Sequence, residues 1–274
     1  MSYSKSSTNE KVRISVLMGI YNCASTLAEA LDSLLAQTYQ RFKVIMCDDG
    51  SRDNTFEVAR QYVMRYPDKF ILIRNERNMG LNFTLNHCLE YADTEYCARM
   101  DGDDISLPER FEKEISFLDS HPELAIVSTP MIYFDEEGIF RESRLKENKI
   151  VTNSDFLKGT PFCHAPSMVR TEAYRKVKGY TVAKSLLGVE DYHLWFKMYA
   201  AGYKGGVLKE PMYMMRDDRN AASRRTFGRY MRVCGVMSRG FRSLGMPLYC
   251  QVYALRPIIT ALLPEFIYNK FHKK

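Results

Sequence analysis

Five carboxylates in two tight groups are the residues of this sequence best suited to chemistry. Cys47-Asp48-Asp49-Gly50-Ser51 holds one pair, and Asp101-Gly102-Asp103-Asp104 holds the rest. Hard divalent cations such as Mg2+ or Mn2+ take oxygen ligands, typically one or two carboxylates completed by substrate phosphates. A D-x-D turn around Gly102 suits that task, because a glycine lets two carboxylates converge while the backbone approaches a diphosphate. Taken alone, each group is also an ordinary polar turn. Competing chemistries lack their signatures. There is no GxxxxGK[ST], GxGxxG or GxSxG pattern, and the five histidines are scattered without zinc spacing.

The elements that must position these acids can be read from periodicity. Ile14–Ile20 is a buried-strand run, and Leu27, Ala30, Leu31, Leu34 and Leu35 follow at helical spacing behind a capping box of Thr26 and Glu29. Residues 42–47 form a second strand that runs into Asp48-Asp49. A helix over 55–65, a strand over 70–74, a helix ending near Tyr91 and a strand over 96–100 come next. That strand delivers Asp101. Ser106 and Glu109 suggest another capping box, for a helix reaching Asp119. The βαβ rhythm predicts an α/β fold with a mainly parallel sheet and helices on both faces. Ligands bind such sheets at the carboxyl ends of the strands, where both acidic groups fall. After Pro122 the rhythm breaks into strand-like pieces and short helices, a mixed region that completes the sheet and covers one side of the cleft. Glu190-Asp191 opens a helical stretch to Ala200 containing Trp195.

Composition bounds the classes. The 274 residues are 46% hydrophobic and 26% charged, which excludes disorder and disulfide miniproteins. Seven cysteines without CxxC spacing read as reduced thiols of a cytosolic protein. No signal-peptide pattern and no apolar run of bilayer length is present, so a soluble or peripherally bound protein is expected. The net charge of +6 is unevenly placed: from Arg216 onward there are twelve Lys/Arg against three Asp/Glu, which leaves 27 against 30 before it.

Six segments in order, covering about residues 14–223, resemble the family 2 glycosyltransferases, whose fold is GT-A. ISVLMGIYNCASTLAEALDSLLAQTY is similar to the family's opening strand, loop and helix, and VIMCDDGSRDNT to its second-strand motif. RNMGLNFTLNHCLEYA is similar to the donor-side segment, and ARMDGDDISLPERFEKE to the D-x-D region of bacterial O-antigen and capsule enzymes. PFCHAPSMVR and GVEDYHLWFKM resemble the acceptor-side motifs. The resemblance implies that Tyr21, Asp49, Asn78, Gly80, Asp101 and Gly102 surround the nucleotide. By the same resemblance Asp103, with Asp101, would hold Mn2+ or Mg2+, and Asp191 would be the catalytic base. Arg99 could meet the donor phosphate or pair with Asp101. His164 and Glu190 would lie on the acceptor side, His164 either bonding the acceptor or supporting its loop. Trp195 reads as core rather than as a sugar platform. The family often has a histidine two positions beyond Arg216, where this chain has Asp218, so no ligand role is assigned there.

The activity implied by this resemblance is an inverting, metal-dependent transfer of a hexose from a UDP-sugar to a lipid-diphosphate-linked or oligosaccharide acceptor, in surface polysaccharide assembly. Two alternatives are a nucleotidyltransferase and a non-catalytic, membrane-associated partner of a synthesis complex. The expected layout is a GT-A domain over 1–215, with a nucleotide-binding half at about 11–120 and an acceptor half at about 121–215. A basic, partly apolar helical segment over 216–274 completes the chain. In that segment arginines alternate with aromatic and apolar residues, then give way to YALRPIITALLPEFIYNKFHKK. A membrane-surface element at the inner face of the cytoplasmic membrane explains this pattern better than nucleic-acid binding, for which no motif is present. Packing of a helical hairpin on the core is the competing reading.

Overall fold

Strands that read as unbroken apolar runs have to be covered on both faces. The computed structural model, which describes residues 11–217 and 226–262, meets that requirement with helices on each side of one sheet. The first half alternates β1 (Ile14–Ile20), α1 (Leu27–Leu35), β2 (Phe42–Asp48), α2 (Thr55–Arg65), β3 (Phe70–Arg74), α3 (Leu81–Glu90) and β4 (Tyr96–Arg99). Next come β5 (Ile105–Ser106), α4 (Arg110–Ser120), β6 (Leu124–Ser128), β7 (Met131–Asp135), β8 (Gly138–Glu142) and β9 (Lys149–Val151). The chain continues through β10 (Ser167–Arg170), α5 (Thr171–Lys176), α6 (Glu190–Ala200), β11 (Lys204–Val207), β12 (Tyr213–Arg216), α7 (Phe227–Ser243) and α8 (Arg256–Leu262).

The main sheet has eight strands in the order β3-β2-β1-β4-β10-β6-β11-β9. Its first four are parallel. β10 enters antiparallel between β4 and β6, and β9 closes the far edge antiparallel to β11. The sheet is therefore parallel where the acidic turns leave it and mixed beyond. A smaller sheet, β5-β12-β7-β8, stands over the second acidic turn.

Alternation along the strands divides the core in two. Leu17, Ile45, Cys97, Ile126 and Val169 face α3, α6 and α7, while Val16, Met18, Val44, Met46 and Ala98 face α1, α2 and α4. Trp195 is fully buried with its ring against Phe162 and His164, as a core residue.

Neither expected capping box forms. Thr26 does precede α1, but its hydroxyl donates to the carbonyls of Cys23 and, 3.0 Å away, Gly102. Ser106 lies in β5, where its hydroxyl accepts from the Gln37 amide, and α4 begins only after Glu109. In both places a tertiary partner outcompetes the local one.

The C-terminal segment takes two characters. α7 sinks Val236, Met237 and Phe241 into the core shared with α6, so the core-packing reading holds for this helix. Gly240 passes so close to α6 that a β-carbon would lie 2.4 Å from the Phe196 ring. Residues 248–255 then form a 3-10 stretch whose Cys250 and Ala254 point inward, and Pro257 sits in the first turn of α8, where no N–H is needed. The outer face is apolar: Leu248 is 83% exposed, Leu262 is 72% exposed, and Tyr249, Val252, Leu255 and Ile259 are exposed beside them. No helix among the described residues is long and apolar enough to cross a membrane. Asp218, Arg219, Arg224, Arg225, Pro264 and the terminal lysines lie outside the described residues.

Candidate active site

Where β1 and β2 end, the chain must turn away from the sheet, and each turn depends on the other. Asn22, with φ of 50°, accepts the Arg52 N–H on its side-chain oxygen, while its own N–H donates to Ser51 Oγ. Asp48 is fully buried and structural; its oxygens take the Ser51 N–H and the Arg74 guanidinium. Asp49 points toward α3 instead. One carboxylate oxygen accepts from Asn75 Nδ2 and Met79 N, both at 2.8 Å, and the other from Gly80 N at 2.9 Å. Asp49 thus shapes the loop that presents Asn78 and Gly80. Gly80 needs the freedom of its residue type, with φ of 87°. Tyr21, Asp49, Asn78 and Gly80 line one hollow of about 210 Å3, together with Gly19, Ile20, Leu81 and Thr84. Four of the six residues expected around the nucleotide are therefore brought together.

The second acidic turn leaves β4. Arg99 is almost wholly buried and grips Asp101 through two bonds of 2.7 and 2.5 Å, so of its two foreseen partners it has the carboxylate. Gly102 faces inward: a β-carbon there would lie 2.7 Å from Cys23 Sγ. The small residue is needed for packing against the β1–α1 loop, and its open side is not the solvent side. Asp103 is exposed at the surface of the turn, yet crowding by the surrounding protein strips part of the water from its carboxyl group, and this, then the Asp101 charge, raises its pKa. Asp104 is buried and accepts the Arg216 N–H at 2.8 Å; burial first, then Asp101 and Asp103, push it up to about 8.

Arg216 and Tyr213, on β12, were not singled out as site residues by sequence reasoning. The Tyr213 hydroxyl accepts the Asp101 N–H at 3.1 Å. The Arg216 side chain donates to the Asp103 carbonyl at 3.0 Å and pairs with Glu29 on α1. Asn75, three residues before Asn78, was missed likewise. Its amide nitrogen donates to Asp49 and to the Thr84 hydroxyl, and its oxygen lies 2.8 Å from His87 Nδ1. The sequence analysis touches β12 only through the position two beyond Arg216 where the family often has a histidine; the contacts themselves span more than a hundred positions.

On the acceptor side, α6 begins at Glu190, which puts Asp191 in its first turn, not at its cap. Burial raises the Asp191 carboxyl to about 6; Glu190 adds to this, while the Tyr192 N–H and the Arg99 charge oppose it. A helix N-terminus favours the ionised form. His164 Nε2 lies 2.8 Å from the Tyr180 hydroxyl, which in turn meets Tyr174 at 3.2 Å. Burial and then the Arg99 charge hold His164 well below the ordinary histidine range, so it is neutral. Arg99 acts electrostatically on Asp103, Asp191 and His164 alike, which sets the acidic turn and the acceptor-side residues around one buried cation.

Solved structures share this fold. S. aureus TarS (1–349), crystallised with UDP-GlcNAc, superposes with a TM-score of 0.69 at 18% identity, over 95% of this chain and 74% of that one. The mannosyltransferase PcManGT of Pyrobaculum calidifontis, solved with GDP-Man and Mn2+, gives 0.64 at 18% identity, over 95% and 78%. The fold is thus of the GT-A class.

Sequence comparison narrows the class. Residues 15–178 match the description Glycosyl transferase family 2, and residues 97–268 match Glycosyl transferase family group 2. EpsE of Bacillus subtilis (strain 168), which carries a glycosyltransferase name, is 40% identical over 266 residues, 97% of this chain and 95% of that protein. The amylovoran biosynthesis glycosyltransferase AmsE of Erwinia amylovora is 30% identical over 94% of this chain and 99% of its own. The chain belongs to glycosyltransferase family 2 and is a glycosyltransferase. Membership sets aside the nucleotidyltransferase and the non-catalytic alternatives.

Proposed function

We propose that this enzyme transfers a hexose, with inversion, from a UDP-sugar to a lipid-linked saccharide during polysaccharide assembly at the inner face of the cytoplasmic membrane. The observation that carries the reading is the convergence on one sheet edge of the hollow lined by Tyr21, Asp49, Asn78 and Gly80, the Asp101–Asp103 turn, and Asp191. The names of similar proteins, amylovoran biosynthesis among them, support a polysaccharide product. The exposed apolar face over 248–262, with Arg256 in it, supports the membrane location.

The donor set fits a hard cation. The Asp101–Asp103 turn would offer such an ion one or two carboxylates and leave the rest of its shell to phosphate and water. Asp101 is already engaged by Arg99, so Asp103 would be the principal ligand, with Asp101 beside the ribose. When bound, Mn2+ or Mg2+ supplies Lewis-acid stabilisation of the departing diphosphate. Asp191 takes the proton from the acceptor hydroxyl as that oxygen attacks the anomeric carbon and the bond to UDP breaks. Arg99 keeps Asp191 from rising further, and neutral His164, held by Tyr180, offers the acceptor a fixed hydrogen-bonding edge.

The direct test is release of UDP from a panel of UDP-sugars with manganese and a diphospho-lipid saccharide, with product linkage read by mass spectrometry and NMR. Transfer that stops on chelation and yields the inverted anomer is expected. Release of pyrophosphate, a retained anomer, or full activity in excess chelator would refute the reading.

A further inference from the structure

The loop that delivers Asp191 is bordered by cations from two separate elements. Lys184 lies on its short 3-10 turn, Lys184–Leu186, and lines a groove of about 260 Å3 with Met79, Leu81, Asn82, Val182 and Leu187. From the other side α7 reaches in. Arg232 Nε donates to the Leu187 carbonyl at 2.8 Å, and Arg229 Nε lies 3.8 Å from where a β-carbon on Gly188 would be. Among the described residues, none of the three forms an ion pair with a carboxylate, although Lys/Arg and Asp/Glu nearly balance over residues 1–215. A guanidinium has five donors in a fixed fork. The Leu187 bond uses one of Arg232's and anchors the group against the loop, with Nη1 lying 3.6 Å from where a β-carbon on Gly228 would be. Gly188, at φ of 75°, keeps the loop surface open between the two arginines.

We propose that Lys184, Arg229 and Arg232 form the site that reads the phosphate or diphosphate of the acceptor. The site rests on the lipid-linked acceptor proposed for this enzyme and gives that acceptor named residues. The donor diphosphate has its own place at the Asp101–Asp103 turn, on a different strand. The cationic loop instead runs directly into Asp191, four residues beyond Leu187, a reach of at most about 14 Å. The apolar groove residues Met79, Val182 and Leu187, all exposed, would meet the first isoprene units. Such an acceptor requires a preceding transfer that places a sugar on lipid phosphate.

The test compares Lys184→Gln, Arg229→Gln, Arg232→Gln and their combination. Steady-state kinetics would use a monosaccharide linked to a short-chain prenyl diphosphate and the same sugar as an uncharged alkyl glycoside. The triple variant should raise KM for the diphosphate acceptor at least tenfold. It should move KM for the alkyl glycoside, and the rate of UDP-sugar hydrolysis in water, less than twofold. Equal effects on both acceptors, or none, overturn the site. Calorimetric titration with geranyl diphosphate, which contains no sugar, is independent of glycosyl transfer: wild type should bind and the triple variant should bind at least tenfold more weakly. Failure of transfer with geranyl diphosphate binding intact would fault the enzymatic reading alone. Phosphatidylglycerol vesicles separate the other source of phosphate. The triple variant should still sediment with them, and loss of vesicle binding with geranyl diphosphate binding retained would make the trio a headgroup contact and refute the proposal.

Discussion

At the residue scale the site turns on what each carboxylate already holds. Asp48 and Asp104 are committed to Arg74 and to the Arg216 N–H, Asp101 to Arg99, and Asp49 to the Asn78–Gly80 loop. Asp103 and Asp191 are the two that the proposed mechanism assigns to substrate, and the environment of Asp191 would then set a pH dependence. Its carboxyl, raised to about 6, must be ionised to accept a proton. Activity should be full above pH 7 and fall as pH drops through about 6, one decade per unit in kcat/KM. Glu190→Gln removes the like charge and should move that acid limb to lower pH, by roughly one unit or less; an unmoved limb assigns the titration elsewhere. Asp191→Asn should cost about 100- to 10,000-fold in kcat with UDP binding unchanged, and near-normal turnover would remove Asp191 as the base.

At the scale of elements, the sequence is a good guide to the strands and a poor one to the joints. β1, α2 and β3 lie where periodicity puts them, because a strand covered on both faces is apolar throughout and a surface helix is not. Thr26 and Ser106 mislead for one shared reason: a hydroxyl three residues before a glutamate looks the same whether it caps a helix or bonds a distant partner. The roles of Arg216 and Asn75 were illegible likewise, since nothing local marks a contact with a turn on another strand. The packing of α7 is partly legible from Gly240, a helix-interior glycine that costs stability unless close approach requires it. Gly240→Ala should push the Phe196 ring aside and destabilise the fold by about 1–3 kcal/mol, lowering the thermal midpoint by several degrees in circular dichroism. An unchanged midpoint would mean the helices part without cost.

For the whole molecule, the basic and apolar C-terminal segment resolves into a buried helix followed by an exposed face. Cutting the chain near Ser243 would strip Cys250 and Ala254 from the core, so it confounds folding with membrane contact. Replacing the outward residues Leu248, Val252 and Ile259 with serine isolates the second. The triple variant should lose at least about tenfold in partitioning onto anionic vesicles and keep its melting midpoint and its turnover of a water-soluble acceptor. Wild-type partitioning in that variant would leave the face without a lipid role. The second acidic turn also bears on how the molecule comes to exist. It leaves β4 but is closed by Tyr213 and Arg216, more than a hundred residues later in synthesis. The turn's closing contacts are therefore made only after β12 has been synthesised, and a chain ending before β12 should show no donor turnover.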